Sequence, residues 1–480
     1  MYIGTLPTHL LLCLIQVCTA ARVDQLPFQH GSDSKDTGLR SAYDAVIDHP
    51  LYPPRINYAK LDAENSRSSH IDGLPNGMIT QAIHVSEDRD DRVDLMFFSD
   101  GYTIDEFDKF VSDVQYLKDD IISPNGSMGH VVDLLNIWAT FIPSNQSGIG
   151  THGRPLAGSP LGLYRPGSEL RAVYVKHPKI ARKVCKWFRE GHADEAGCDQ
   201  AILLGNDPLY GGLGGEFTII TASKLNGPQV LRHELGHSLI SVGEEYDGGF
   251  VYSGVNAEKV EHLDNLKWRR YLSDPDDVRI EDARMAVQAY PWHDLDNGKY
   301  MATFTSANDP RNTTHTYSTA LLRTSLSSIP DPSHIIYSLN DEPLDLSAYF
   351  PEDLKGSLDR RWLDISLLSG LKQGENRIEV HLRDIGKRAR AGQGGKMITS
   401  LEIIEYGDQG RFNHTLGHIG AYPTFSMKGR MTLRPTNEQC LMRNVTHPRF
   451  CPVCVDALRE SLQSKIARKK TKDNVDAIVL

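Results

Sequence analysis

The stretch that decides the fold is VLRHELGHSLI, residues 230–240, in which His233 and His237 are four positions apart. On an α-helix, residues four apart lie on one face about one turn from each other, so both imidazoles can bind one zinc ion. Glu234 then points towards the metal's open position. Zinc lowers the pKa of its bound water to about 7, and a neighbouring carboxylate accepts the proton as the water attacks a carbonyl carbon. The segment predicts metal-assisted hydrolysis, although HExxH also occurs by chance in helices with two surface histidines.

The metal needs a third protein ligand if one tetrahedral position is to stay open for water. An acidic pair, Glu244-Glu245, follows the motif. In a straight helix Glu244 would lie about 16 Å along the axis from His233 and could not reach the metal. The chain must therefore turn, and Gly243 is a suitable place.

The residues before the motif predict alternating strands and helices. VDLMFFSD, residues 93–100, is a continuous apolar run typical of a buried strand, and residues 107–117 carry apolar side chains at helical spacing. The other predicted elements are strands at 136–144, 200–207 and 216–223 and a helix at 179–189. A glycine-rich run at 211–215 lacks the spacing of a nucleotide loop, which favours close backbone approach at a cleft. This order predicts an α/β (α+β) domain.

The segment HELGHSLISVGEEYDGG, residues 233–249, resembles the zinc signature of the igalysins, the IgA-peptidase family of zinc metallopeptidases. In that signature HExxH is followed after a short gap by an acidic pair and a tyrosine. The other segments that look like the family are residues 98–103, 136–144, 211–217 and 434–443. The resemblance covers roughly residues 80–312 and 433–458. It implies a metzincin-like fold, a twisted sheet with an active-site helix and a methionine turn below the zinc.

The same resemblance implies a role for each matching residue. The implied roles are zinc ligands for His233 and His237, general base for Glu234, third ligand for Glu244 or Glu245, and the methionine of the turn for Met442. The sequence departs from the broader metzincin string HExxHxxGxxH, because Ile240 and Gly243 stand where a glycine and a third histidine are expected. Glu245, which directly precedes Tyr246, is the favoured third ligand. Tyr246 is expected either to donate to the transition-state oxyanion or to pack beside the metal, and Met442 has core filling as its alternative role.

After residue 312, short alternating segments separated by Gly, Pro and Asp turns predict an all-β module. The chain then ends in a helical pattern. The predicted organisation is a signal peptide at 1–20, a pro-segment or linker at 21–79, a first catalytic part with the zinc helix at 80–312, an inserted β-sandwich at 313–430, and a second catalytic part at 431–480 with the methionine turn.

Composition and the N-terminus point to the compartment. The 480 residues carry a net charge of −10, which argues against a nucleic-acid partner. Residues 10–17 form an apolar run too short to span a membrane and are followed by a small-residue cleavage pattern, so we expect secretion without stable membrane insertion. Five N-x-S/T acceptor sites fit a secreted glycoprotein; they are Asn125, Asn145, Asn312, Asn413 and Asn444.

Cysteine pairing is only partly defined by the sequence. Once Cys13 and Cys18 leave with the signal peptide, five cysteines remain, which is an odd number. The expected bridges are Cys185 to Cys198, and Cys440 into the cluster formed by Cys451 and Cys454. Zinc or redox chemistry is the less favoured interpretation of that CxxC pair.

These features predict a secreted zinc-dependent endopeptidase whose cofactor is Zn²⁺ and whose partner is a protein or peptide substrate. The substrate is expected to extend along an edge strand at residues 216–223. The main alternative is a catalytically silent secreted or cell-surface binding protein on the same fold, which the intact Glu234 and both histidines disfavour. Two further alternatives are a thermolysin-like peptidase, which the close glutamate pair disfavours, and non-peptidic hydrolysis at the same metal.

Overall fold

The computed structural model describes residues 75, 77–191, 195–249, 252–308, 316–389, 392–408 and 410–478, with side chains up to residue 471. The predicted signal peptide, nearly all of the predicted pro-segment and the acceptor Asn312 lie outside these residues. Within the described part of the chain, no helix is both long and apolar enough to cross a membrane.

The chain combines helices and strands, which confirms the predicted mixed class. The helices are α1 (Phe107–Ile122), α2 (Pro178–Arg189), α3 (Gly227–Leu239), α4 (Asp384–Arg388) and α5 (Pro452–Ile478). The strands are β1 (Ile79–His84), β2 (Val93–Asp100), β3 (Leu135–Phe141), β4 (Leu163–Tyr164), β5 (Tyr174–Val175), β6 (Gln200–Gly205), β7 (Gly212–Leu213), β8 (Thr218–Thr221), β9 (Glu258–Lys259), β10 (Ala283–Ala289), β11 (His293–Asp294), β12 (Tyr300–Thr305), β13 (Tyr317–Ser327), β14 (Ile335–Leu339), β15 (Glu342–Pro343), β16 (Arg361–Leu367), β17 (Glu375–Leu382), β18 (Met397–Gly407), β19 (Tyr422–Phe425) and β20 (Met431–Arg434).

A six-stranded sheet with the order β1-β3-β2-β6-β8-β7 forms the centre of the first half. The inner strands β3, β2, β6 and β8 run parallel, and β1 and β7 pair antiparallel at the two ends. The prediction that residues 216–223 form an edge strand is therefore wrong. The short β7 covers the open side of β8, because the glycine-rich run folds back onto it.

Both faces of this sheet are buried. Leu95 and Phe97 of β2 belong to the core that also contains α1, α3 and α5, whereas Met96 and Phe98 belong to a second core with α2. Successive side chains of a strand point to opposite faces, which explains the continuous apolar run in the sequence. Each such side chain contributes roughly 1.5–3 kcal/mol of burial free energy. Helix α3 is thereby held against the first face through side chains such as Leu231 and Leu235.

Two antiparallel sheets make up the second half. One has the order β10-β18-β13-β16 with β11 also on β18, and the other has the order β12-β17-β14-β15. Side chains of both sheets, such as Leu322 and Val380, share one core. These sheets begin at Ala283, before the expected module start at residue 313, because β10 pairs with β18 and β12 with β17 across long sequence separations. After β18, strands β19 and β20 join β9 in a separate three-stranded sheet rather than either of the two.

The cysteines follow only half of the expected pairing. Cys185 of α2 and Cys198, just before β6, form the predicted disulfide. None of Cys440, Cys451 and Cys454 forms a disulfide with a described residue, which overturns the expected second bridge. The Sγ atoms of Cys440 and Cys454 lie 4.0 Å apart, about twice the length of a disulfide bond of about 2.05 Å.

Candidate metal centre

Helix α3 presents the HExxH residues and ends early. Its last residue is Leu239, and Ile240 is already extended with φ −127° and ψ 155°. We expected the turn at Gly243, whereas the chain leaves the helix at Ile240, where a β-branched side chain suits extended backbone. The earlier exit brings the following loop back past the helix.

The returning loop places Glu244 against both histidines. His233 Nε2 lies 3.2 Å from Glu244 Oε2, and His237 Nε2 lies 2.9 Å from Glu244 Oε1. The two Nε2 atoms are 3.2 Å apart. A tetrahedral zinc ion with ligands about 2.0–2.1 Å away would separate its ligand atoms by roughly 3.3 Å. The three side chains therefore fit one such ion, to which Glu244 can present either oxygen.

Backbone carbonyls orient the two imidazoles. His233 Nδ1 lies 3.4 Å from the carbonyl oxygen of Leu441. His237 has a hydrogen bond with the backbone of Val242. A histidine that donates through Nδ1 keeps Nε2 as its lone-pair donor for a metal. Both rings are thus held with Nε2 towards Glu244.

Electrostatics in the cluster favour an ionised carboxylate. Burial raises the pKa of Glu244, but His237 and His233 outweigh this effect and hold that pKa at about 2. Burial lowers the pKa of His237, and Glu244 more than offsets this, so the His237 pKa lies above its usual value. All three side chains are at most 3% exposed. The buried cluster therefore offers two imidazoles and one carboxylate.

Glu234 lies beside the cluster under the glycine-rich run. Its side chain is fully buried. A Cβ atom placed on Gly214 would lie 1.9 Å from Glu234 Oε2, so only glycine allows this approach. The close backbone approach expected of residues 211–215 is thus found directly over the Glu234 carboxylate.

Tyr246 also lies beside the cluster. Its ring centroid is 6.0 Å from that of His233. Burial raises the pKa of Tyr246, and Glu244, which shares a hydrogen bond with this hydroxyl, raises it further. The hydroxyl therefore stays protonated and lies within reach of the group that Glu244 would bind.

The segment that carries this geometry also matches a family. Residues 82–269 match the family model described as IgA Peptidase M64. This match supports the M64, or igalysin, family for the segment. The resemblance noted in the sequence is confirmed, and the match indicates a metallopeptidase.

Other comparisons add little to the M64 match. No curated protein sequence matches the chain. A family 35 carbohydrate binding module from Clostridium thermocellum is 9% identical, with 25% of this chain and 97% of that chain covered and a TM-score of 0.12. A catalytically inactive OgpA from Akkermansia muciniphila, in complex with an O-glycopeptide substrate, is 8% identical, with 69% and 97% covered and a TM-score of 0.19. Neither likeness bears on the function of this chain.

Unlike Glu244, Glu245 does not lie against the two histidines of the M64 segment. Its Oε1 accepts a hydrogen bond of 2.8 Å from Asn256 Nδ2, and its carboxylate lies in a cluster with three cysteines. Successive residues of an extended segment point in opposite directions, so two adjacent glutamates cannot share one site easily. The structure therefore places Glu244, and not the favoured Glu245, against the two histidines.

Asn256 is a positioning residue that sequence reasoning missed. Its Oδ1 accepts from the Gly243 amide at 2.7 Å, and its Nδ2 donates to the Gly243 carbonyl at 2.9 Å. Together with the bond to Glu245, these contacts fix the loop that carries Glu244. The sequence holds no signal for this role, because an isolated asparagine in a loop has no distinctive spacing.

Met442 lies against helix α3. It is fully buried, and its Sδ would lie 3.1 Å from a Cβ atom on Gly236, which stands between the two histidines. The Met442 carbonyl accepts a hydrogen bond of 2.9 Å from the Glu245 amide. The methionine segment therefore touches both the helix and the metal loop.

A chain of ion pairs, fully buried at Arg443 and Asp247, joins the antiparallel sheets to the metal loop. Arg323 of β13 pairs with Asp364 at 2.8 Å and with Glu438 at 2.7 Å. Arg443 pairs with Glu438 at 2.9 Å and with Asp247 at 2.5 Å. Removing one partner of a buried pair leaves the other charge buried without a partner, which typically lowers the stability of the folded protein by about 3–5 kcal/mol. The position of Asp247, next to Tyr246, thus depends on residues far away in the sequence.

Proposed function

We propose that this protein is a secreted zinc-dependent endopeptidase with Zn²⁺ bound by His233, His237 and Glu244. The observation that carries the proposal is the convergence of these three side chains, whose nearest donor atoms lie 2.9–3.2 Å apart, beside the buried Glu234. Two imidazoles and a carboxylate suit zinc and leave one of its four positions open. The M64 match of residues 82–269 supports the same chemistry.

We assign different steps of peptide hydrolysis to different residues of the chain. A zinc ion, when bound, supplies Lewis acidity that polarises a peptide carbonyl and acidifies water. We assign to the Glu234 carboxylate the uptake of a proton from the attacking water and its later delivery to the leaving amine. The Tyr246 hydroxyl, kept protonated by burial and by Glu244, donates to the oxyanion that forms on the carbonyl.

The finer architecture belongs to this proposal as well. Met442 beneath α3 supports a metzincin-like arrangement with a methionine turn. The two antiparallel sheets with a shared core support a β-sandwich inserted between the M64 segment and that turn. The disulfide of Cys185 and Cys198 and the exposed acceptor residues Asn125 and Asn145 support an oxidising, extracellular compartment.

A Glu234→Gln variant tests the proposal, because the amide keeps the size of the side chain but cannot accept the proton. We expect kcat/KM on a mixed peptide library to fall by roughly 10²–10⁴ with zinc content unchanged. Glu352→Gln, at a side chain that is 85% exposed, is the matched control and should behave like wild type. Equal cleavage by Glu234→Gln and wild type, or a wild type without zinc, would refute the proposal.

One observation favours the alternative of a catalytically silent binding protein. His233 and Glu234 have no exposed surface, so a substrate carbonyl has to displace residues that cover them. The same assay decides between the two functions. A wild type that retains zinc but cleaves no peptide of the library, under conditions in which it is folded, supports the binding protein.

A further inference from the structure

A second cluster of metal-binding side chains lies behind the first. The ligand atoms of Glu245, Cys440, Cys451 and Cys454 all lie within 4.8 Å of one another, and all four residues are buried. They come from three separate segments: the loop after α3, the methionine segment and the start of α5. We propose that these four residues form a second, structural zinc site.

The sulfur geometry fits a metal better than a disulfide. A zinc ion with Zn–S distances of about 2.3 Å would hold two thiolates of a tetrahedron roughly 3.8 Å apart. The Sγ atoms of Cys440 and Cys454 are 4.0 Å apart, and no described cysteine is bonded to either. If any two of the three clustered cysteines formed a disulfide, the third would remain a buried thiol without a partner. A metal uses all three.

The carboxylate supplies the fourth ligand. Glu245 is fully buried, and Asn256 donates to its Oε1. The carboxylate also contacts the Cys440 side chain, but its Oε2 has no nitrogen or hydroxyl donor among the residues that the structure describes, although a buried polar atom normally has a partner. A metal ion satisfies this oxygen. Four protein ligands leave no open position, which is the pattern of a structural rather than a catalytic zinc site.

The surroundings suit a cluster of anionic ligands. The Cys451 amide donates to Cys440 Sγ at 3.4 Å, and Cys451 directly precedes α5, whose N-terminal end carries positive partial charge. The buried Arg434 lies close enough to act electrostatically on Glu245. These groups offset the negative charge that three thiolates and a carboxylate bring to a divalent ion.

The proposed site also accounts for the odd number of cysteines. With the predicted signal peptide removed, five remain, of which two form the observed disulfide and three become ligands. Soft thiolates select zinc, copper(I) or iron–sulfur clusters, and the single carboxylate favours zinc among these. The ion would join Glu245 to the segment that carries Met442, two residues after Cys440.

Metal counting on the full-length protein tests the proposal independently of peptidase activity. We expect about two zinc ions per chain in the wild type and about one in each of two variants, His237→Ala and Cys454→Ser. The double variant should hold none. If His237→Ala alone removes all zinc, or if Cys454→Ser leaves the wild-type amount, the second site does not exist.

Cobalt replacement provides a test without a cysteine substitution, in case Cys454→Ser fails to fold. Protein loaded with Co²⁺ should show intense near-ultraviolet thiolate-to-cobalt charge-transfer bands, which histidine and carboxylate ligands do not produce. The bands should persist in His237→Ala. Their absence, or a Cys440 disulfide found by alkylation under denaturing, non-reducing conditions followed by mass spectrometry, would overturn the proposal. Zinc at the cysteines of a protein that cleaves nothing would refute only the peptidase function.

Discussion

Glu244 and Glu245 are adjacent in the chain, yet their carboxylates belong to two different clusters. Glu244 lies 2.9 Å from His237 Nε2, whereas Glu245 lies with Cys440, Cys451 and Cys454. One peptide unit therefore connects the two candidate metal sites. Neither glutamate can move without a change at the neighbouring cluster.

The two glutamates should differ in their effect on the histidine site. In a Cys454→Ser background, so that only this site holds zinc, we expect Glu244→Gln to weaken zinc binding by at least about tenfold, because an anionic ligand is lost. Glu245→Gln in the same background should retain nearly the parental affinity. Competition with a chelator of known affinity measures both. A larger loss in Glu245→Gln would restore the ligand assignment that the sequence favoured.

Gly214→Ala should separate catalysis from metal binding. The added methyl group would lie 1.9 Å from Glu234 Oε2, and the carboxylate has to move. A displacement of about 1 Å in an active site commonly lowers the rate by about 100-fold. We therefore expect kcat to fall by roughly 10–100-fold while zinc content stays constant. Gly410→Ala, which meets only one side-chain atom at 3.6 Å, is the control, and equal activities in the two variants would contradict the placement of Glu234.

Asn256→Asp should destabilise the loop that carries Glu244. The carboxylate can still accept from the Gly243 amide, but it cannot donate to the Gly243 carbonyl or to Glu245. Two buried acceptors lose their donor, which lowers the free energy of unfolding by roughly 2–4 kcal/mol. Urea unfolding measures the change. The exposed Asn297→Asp is the matched control, and a stability of Asn256→Asp equal to that control would show that the loop is fixed by other contacts.

Glu402→Gln should alter the pH dependence of stability. Burial, followed by the nearby Asp247, raises the pKa of Glu402 to about 7. The folded protein therefore binds an extra proton between about pH 4.3, the ordinary pKa of glutamate, and about pH 7, so stability falls as pH rises through this window. The amide, which can still accept from the Tyr290 hydroxyl, removes this decline.

Relative to wild type, Glu402→Gln should gain roughly 1–3 kcal/mol between pH 5 and pH 8. Urea unfolding at the two pH values measures the difference. The exposed Glu352→Gln should follow the wild-type profile. If Glu402→Gln also follows it, the pKa of Glu402 is not raised in the folded protein.

Local patterns were sufficient to predict the elements around α3 but not the loop after it. The apolar run of β2 and the helical spacing of α1 depend on burial within a few residues, so both were found in the sequence. The exit of the chain at Ile240 depends on tertiary contacts such as Asn256 with Gly243. This exit comes three residues before the expected turn at Gly243, and the path of the loop from there decides which of the two adjacent glutamates faces the histidines.

The antiparallel sheets show a second limit of the same kind. The half-buried residues of β10 show no strict alternation, and the strand is defined by its pairing with β18. Such pairing joins residues that are far apart in sequence and leaves little local signal. The ion pairs of Arg323 and Arg443 could not be predicted from the sequence for the same reason. A charged residue is expected to be exposed unless its partner is known.

The contact of His233 with Leu441 has a practical consequence for anyone who expresses this protein. The family match ends at residue 269, but the carbonyl that orients His233 and the methionine beneath α3 follow about 170 residues later. A recombinant fragment cut at the limits of the match would contain all three proposed ligands of the histidine site. It would lack Leu441, whose carbonyl orients His233, and Met442, which packs against α3. In such a fragment the ligand side chains would not be held in position. The protein should therefore be expressed through the end of α5.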